Sequence, residues 1–138
     1  MALNLKLSNA TANAAANAVL TQLAGGFLNF YDGSQPANPD VAVSTQNSYG
    51  SVALASPAGT CSNGVITWAT ATNGTVPSGL PGNATPTWFR ATTSASAVAL
   101  DGSCGNSASY DMNVGSSPWV SGGTINGSNL GTLTFPAH

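Results

Sequence analysis

Few side chains in this sequence could do acid–base, nucleophilic or metal chemistry, and their spacing argues against each use. The acids are Asp32, Asp40, Asp101 and Asp111, there is no Glu, and the one imidazole is His138, the last residue. A hydrolase needs a base held beside its nucleophile and oriented by a third group. A lone His at a chain end, where order is usually least, offers no such neighbour. Asp101 and Asp111 are an arithmetically open carboxylate pair, but the plainer reading of both is a turn or surface aspartate. Cys61 and Cys104 are far apart and neither belongs to a C-x-x-C pair, so with a single His there is no ligand set for zinc. Both cysteines lie in Ser/Gly/Asn-rich stretches, 60–64 and 103–106, that read as loops. They stand there as free thiols, or pair if the fold joins them. The expectation is no catalytic residue, no cofactor and no metal, hence not an enzyme.

Binding chemistry offers more, each time beside a plainer reading. Trp68, Trp88 and Trp119 would make a sugar-stacking platform if they faced solvent, and core if they did not. Arg90, the only arginine, sits beside Trp88 and Phe89. It reads as a hydrogen-bonded link to an Asp or a carbonyl, or as an interface anchor. The run 67–72 alternates Thr with Trp and Ala and reads as a strand with threonines outward. Ice-binding surfaces need such an array across many strands, and one run falls short of that.

Charge narrows the partners. Only 4% of residues are charged, against about 25% in ordinary soluble chains. With Lys6 and Arg90 the only cations, neither a nucleic-acid footprint nor a basic face for an anionic membrane can be built. A net charge of −2 with 42% hydrophobic residues argues for a folded chain rather than a disordered one. Its 138 residues suit one domain with an adequate core. The N-terminus shows neither the cationic start nor the unbroken apolar run of about 7–15 residues of a secretory signal. No stretch approaches the ~18 apolar residues of a membrane span. The expectation is a soluble protein made in a cytoplasm.

The elements that would position these residues follow from periodicity. Residues 1–7 alternate. Residues 8–23 read as a helix, capped by Ser8 or Asn9 and rich in Ala, with Ala12, Ala15, Ala16, Val19 and Leu23 on one face and Gly25-Gly26 as its stop. That helix packs on its own domain or serves as an arm on a neighbour. Beyond it the period becomes two. Strands are expected at 27–31, weakly at 41–43, at 49–54, 65–72, 85–93, 97–102 and 109–114, with one or two in 124–135. The segment 32–40 is a Pro-rich turn, 73–83 a loop, and Asn63-Gly64 a type I′ hairpin signal. The fold class predicted is mainly β, a jelly-roll-like antiparallel β-sandwich of about eight short strands with one N-terminal helix. Residues 1–24 form the arm and helix, and residues 25–138 the sandwich.

Several segments resemble a known family. Leu3-Asn4-Leu5-Lys6-Leu7-Ser8-Asn9-Ala10, Gly25-Gly26-Phe27-Leu28, Tyr31-Asp32-Gly33-Ser34-Gln35-Pro36, Thr87-Trp88-Phe89-Arg90-Ala91, Leu100-Asp101-Gly102-Ser103 and Gly131-Thr132-Leu133-Thr134-Phe135-Pro136 resemble small virion proteins of tailed bacteriophages. The likeness is nearest to capsid cement (decoration) proteins of the kind carried by a Bordetella phage. It implies a jelly-roll subunit that dimerises on the outer surface of the major capsid protein lattice, and it implies no catalytic residues. A virion location on the outer capsid follows as an expectation, with the major capsid protein as partner and a homodimer as its state. The candidate interface residues are Leu3, Leu5, Leu7, Val19, Arg90 and Trp119. A phage tail or fibre role, or a carbohydrate-binding module, is the alternative.

Overall fold

Regular structure starts at Ser8, whose hydroxyl accepts the Thr11 N–H at 3.2 Å and so satisfies one donor that a helix start leaves open. Helix α1 then runs Asn9–Leu23. Its buried stripe is Ala12, Ala16, Leu20 and Leu23. Ala15 and Val19, expected on that stripe, are half-buried at its border, and Leu20 takes the central place. The helix ends where Gly25 enters the left-handed region at φ +68° and the Gly26 N–H closes onto the Leu23 carbonyl at 2.9 Å, as a glycine C-cap does. The computed structural model describes residues 6–80, 85–114 and 119–135. Leu3, Leu5, His138 and residues 81–83 of the expected loop lie outside them.

Ten strands follow: β1 Phe27–Tyr31, β2 Ser48–Ala53, β3 Gly59–Ser62, β4 Val65–Trp68, β5 Gly74–Thr75, β6 Trp88–Thr92, β7 Val98–Gly105, β8 Met112–Asn113, β9 Thr124–Ile125 and β10 Thr132–Thr134. Eight form one curled sheet in the order β2-β1-β6-β7-β8-β10-β4-β3, while β5 and β9 make a two-stranded ribbon. Leu28, Phe30 and Val52 from one half of the sheet share a hydrophobic cluster with Ile66, Met112 and Leu133 from the other. Ala16, Leu20 and Leu23 of α1 join the same cluster. The result is the expected mainly β, sandwich-like architecture behind one helix, and the apolar face of that helix is used within its own chain.

Local chemistry explains the turns. Asn63 and Gly64 have φ of 50° and 76°, the pair of positive values a type I′ turn requires, and they join β3 to β4 with Ser62 opposite Val65. The β6–β7 hairpin pairs Trp88 with Ser103 and Arg90 with Asp101.

Several expectations shift. Residues 41–43 are loop, the strand expected over 65–72 ends at Trp68, and that expected over 109–114 shortens to Met112–Asn113. Both cysteines stand in strands rather than loops: Cys61 lies in β3 and Cys104 in β7. The Ser/Gly/Asn composition around them is overridden by pairing with β4 and β6, because strand preference follows neighbours more than intrinsic propensity. The β7–β8 pair is parallel, so the sheet is not uniformly antiparallel.

Candidate functional site

Strand β6 is buried at all five positions, which a sheet with one solvated face would not produce. Phe89 and Ala91 face the common core. Trp88, Arg90 and Thr92 point the other way, and the Pro-rich excursion 32–47 reaches the first two. The Trp88 indole N–H donates to the Asp32 carbonyl at 2.9 Å, and Tyr31 stacks on Trp88 at 4.6 Å between centroids. The Arg90 Nη2 donates to the Val41 carbonyl at 2.9 Å. The excursion is also cross-tied internally: Asp32 accepts the Asn47 N–H at 2.6 Å and its amide at 2.8 Å, and Gln46 Nε2 donates to the Ser34 carbonyl at 2.7 Å. It is a strap laid over the outer face of β1 and β6.

Under the strap, Arg90 and Asp101 form a two-pronged ion pair, with Nε to Oδ1 and Nη2 to Oδ2 both at 2.7 Å. The Asp101 side chain is fully enclosed and Arg90 is 8% exposed. The hydrogen-bonded carboxylate holds the guanidinium above its ordinary pKa, and the Arg90 carbon lies 5.6 Å from the Trp88 ring centre. Burial raises the Tyr31 hydroxyl. Of the two readings of Arg90, the internal link is the one realised. Its Nε and Nη2 are held by Asp101 and the Val41 carbonyl.

The remaining charges are similarly committed. Asp111 accepts the Ser103 N–H and hydroxyl, both at 2.8 Å. Asp101 and Asp111 are therefore taken up by separate partners, and Asp101 is a buried strand residue rather than a turn or surface aspartate. Among the described residues only Lys6 and Asp40 carry a charge with no ion-pair or side-chain hydrogen-bond partner, and both are exposed. No group of three or more His, Cys, Asp or Glu is placed to hold a metal among the described residues. No helix among them is long and apolar enough to cross a membrane. The Cys61 thiol donates to Asn13 Oδ1 at 3.4 Å. Cys104 is buried facing the Pro86 carbonyl, and burial pushes its thiol up to about 12.

The strap leaves an apolar recess of about 520 Å³ lined by Pro39, Val41, Ala42, Val43 and Val98 with Arg90 and Asp40. Val41 and Val98 are 45% and 42% exposed and share the lining of this recess. Neither was singled out from the sequence, because Val41 reads as strand and the strap that lifts it is a tertiary feature. Of the other expected interface residues, the described Leu7, Val19 and Trp119 do not join this patch. Leu7 is half-buried ahead of α1, and Val19 and Trp119 pack against the core. Trp119 meets Phe30 edge-on at 4.9 Å. With Trp68 and Trp88 buried, the three tryptophans form no common platform. No family model, curated protein or solved structure matches the chain.

Proposed function

We propose that the protein is a structural virion subunit, a capsid cement or decoration protein that binds the outside of the major capsid protein lattice as a homodimer through non-ionic contacts and performs no catalysis. The observation that carries this reading is the charge placement: apart from Lys6 and Asp40, every charge among the described residues is tied to the chain's own groups. What such a surface offers a partner is apolar area and neutral hydrogen bonds, whose strength salt hardly changes. Exposed ion pairs are worth about 0–1 kcal/mol and are screened as the Debye length falls from ~10 Å at 0.1 M salt to ~3 Å at 1 M. A shell that must hold in varied salt favours the former.

The Val41–Val98 recess is the apolar docking patch in this reading. The short β3 is a sheet edge, where a neighbour's strand could add. Helix α1 supplies core, so an arm reaching a neighbour would be limited to the residues before Ser8, and deleting all of 1–24 would test folding rather than docking.

The test is quantitative mass spectrometry of purified virions against the major capsid protein, for the natural chain and for one carrying Val41→Asp with Val98→Asp. A lattice-sized ratio is expected for the natural chain. The double variant should fold but fail to load, and loading should change less than about threefold between ~0.1 and ~1 M salt. A handful of copies per particle would reject cement in favour of a tail or fibre component. Steep loss with salt would reject non-ionic docking.

A further inference from the structure

A second groove, of about 730 Å³, lies between the β5–β9 ribbon and strands β8 and β10 of the sheet. That size falls within the roughly 300–1,000 Å³ of small-molecule sites. Its walls carry no Lys, Arg, Asp or Glu. Trp119, Ile125 and Leu130 supply apolar surface, and Thr124, Asn126 and Asn129 supply neutral polar groups. Asn126 uses its carbonyl oxygen on the Ser128 N–H at 3.0 Å and hydroxyl at 2.7 Å, so its amide N–H groups remain to donate. The backbone beneath is fixed: the Val76 N–H bonds Gly123 at 2.8 Å, the Gly122 N–H bonds Val76 at 3.0 Å, and the Gly131 N–H bonds Asn113 at 2.9 Å.

The groove continues onto a row of hydroxyls. Thr132, which lines it, is paired across β10 and β4 with Thr67, and Thr67 across β4 and β3 with Thr60. All three are exposed. With neighbouring strands ~4.8 Å apart, the row spans about 10 Å on one face. The run 67–72 placed only Thr67 there; the fold brings the other two from distant segments.

We propose that this groove and threonine row bind a neutral oligosaccharide. Sugar rings present C–H faces that lie against an aromatic or aliphatic surface, and hydroxyls that pair with amides and hydroxyls. An anionic ligand would find no cation here and a cationic one no carboxylate. The pre-set backbone lowers the ordering cost of binding. The proposal stands on the groove alone and does not depend on the decoration role.

The test uses the full chain, followed by amide and indole NMR shifts during titration with cellohexaose, maltohexaose, mannohexaose and N-acetylchitohexaose, with heparin as the anionic control. Saturable binding of at least one neutral oligosaccharide is expected, with a Kd on the order of 0.1–1 mM and shifts centred on Trp119, Asn129 and Thr132. Asn129→Ala with Thr132→Val, both at exposed positions, should weaken it about tenfold or more while leaving the spectrum folded. Trp119→Phe keeps the packing on Phe30 and should weaken it less. No saturation by any of the four at about 10 mM would overturn the proposal. So would shifts lying elsewhere, affinity unmoved in the double variant, or preferential salt-sensitive binding of heparin.

Discussion

Replacing Arg90 by Met should be among the most damaging single changes available to this protein. The substitution keeps an unbranched apolar stem but leaves the enclosed Asp101 carboxylate with neither of its two 2.7 Å partners. Removing one member of a buried pair typically costs about 3–5 kcal/mol, because the other charge stays desolvated. The lost bond to the Val41 carbonyl adds about 1 kcal/mol. At about 2.1 cal/mol/K of unfolding entropy per residue, 138 residues convert 1 kcal/mol into ~3.5 °C. The melting temperature should therefore fall by about 14–21 °C. The decisive comparison is Arg90→Met with Asp101→Leu, which removes both charges and should recover about 3–5 kcal/mol relative to the single variant. Urea unfolding followed by tryptophan fluorescence reads both values. A loss below about 1 kcal/mol for Arg90→Met would mean that the pair is solvated, and the burial argument fails. A double variant no more stable than the single would place the cost in the detached strap rather than in an orphaned charge.

Two further outcomes follow from particular atoms. The Cys104 thiol is pushed from 9.0 up to about 12 by burial, so the folded chain keeps its proton where the unfolded chain releases it. Stability is then full below about pH 9 and falls by about 1.4 kcal/mol per pH unit above it; Cys104→Ala should remove that slope between about pH 9 and 10, and an unchanged slope in urea titrations would refute the assignment. At the helix stop, Gly25 is at φ +68° with nothing within 4 Å of an added Cβ, whereas a Cβ on Gly26 would stand 2.1 Å from the Thr92 carbonyl oxygen. Gly25→Asn should cost under about 1 kcal/mol, since Asn visits the left-handed region, while Gly26→Ala should cost about 3 kcal/mol or more; thermal melts in the reverse order would sink the distinction.

The parts of the fold legible in the sequence are those decided within a few residues. Ser8, the alanines and Gly25 define α1. Asn63-Gly64 defines its hairpin, and alternating aromatics define β1 and β6. The parts not legible are decided by distant neighbours. Gly59–Ser62 has the composition of a turn and becomes strand only because β4 lies beside it, and a two-residue strand such as β5 or β9 carries no periodicity at all. The site suffered most for the same reason. Arg90 and its internal link are legible in the sequence, but its burial depends on a strap whose return cannot be read from its prolines. The Val41–Val98 recess joins residues on two segments that no motif connects. The row Thr60–Thr67–Thr132 exists only in the register of three strands.

One of the chain's two cations and one of its four acids are placed under the strap, although a well-packed apolar pair there would often be no less stable. The placement makes sense as a device for register. Arg90 and Asp101 are directly opposite across β6 and β7, and a one-residue slip of β7 would turn Asp101 toward the core beside Phe89, with no partner. The same guanidinium reaches the Val41 carbonyl and so fixes the strap that presents Val41 beside Val98. Under this hypothesis one side chain ties strand alignment to the shape of the exposed patch. The variant lacking both charges discriminates. It should regain stability yet show additional amide resonances for 98–105 and faster proteolysis within 32–47. A single sharp set of resonances with an intact strap would show that apolar packing alone holds the register, and that the pair serves stability only.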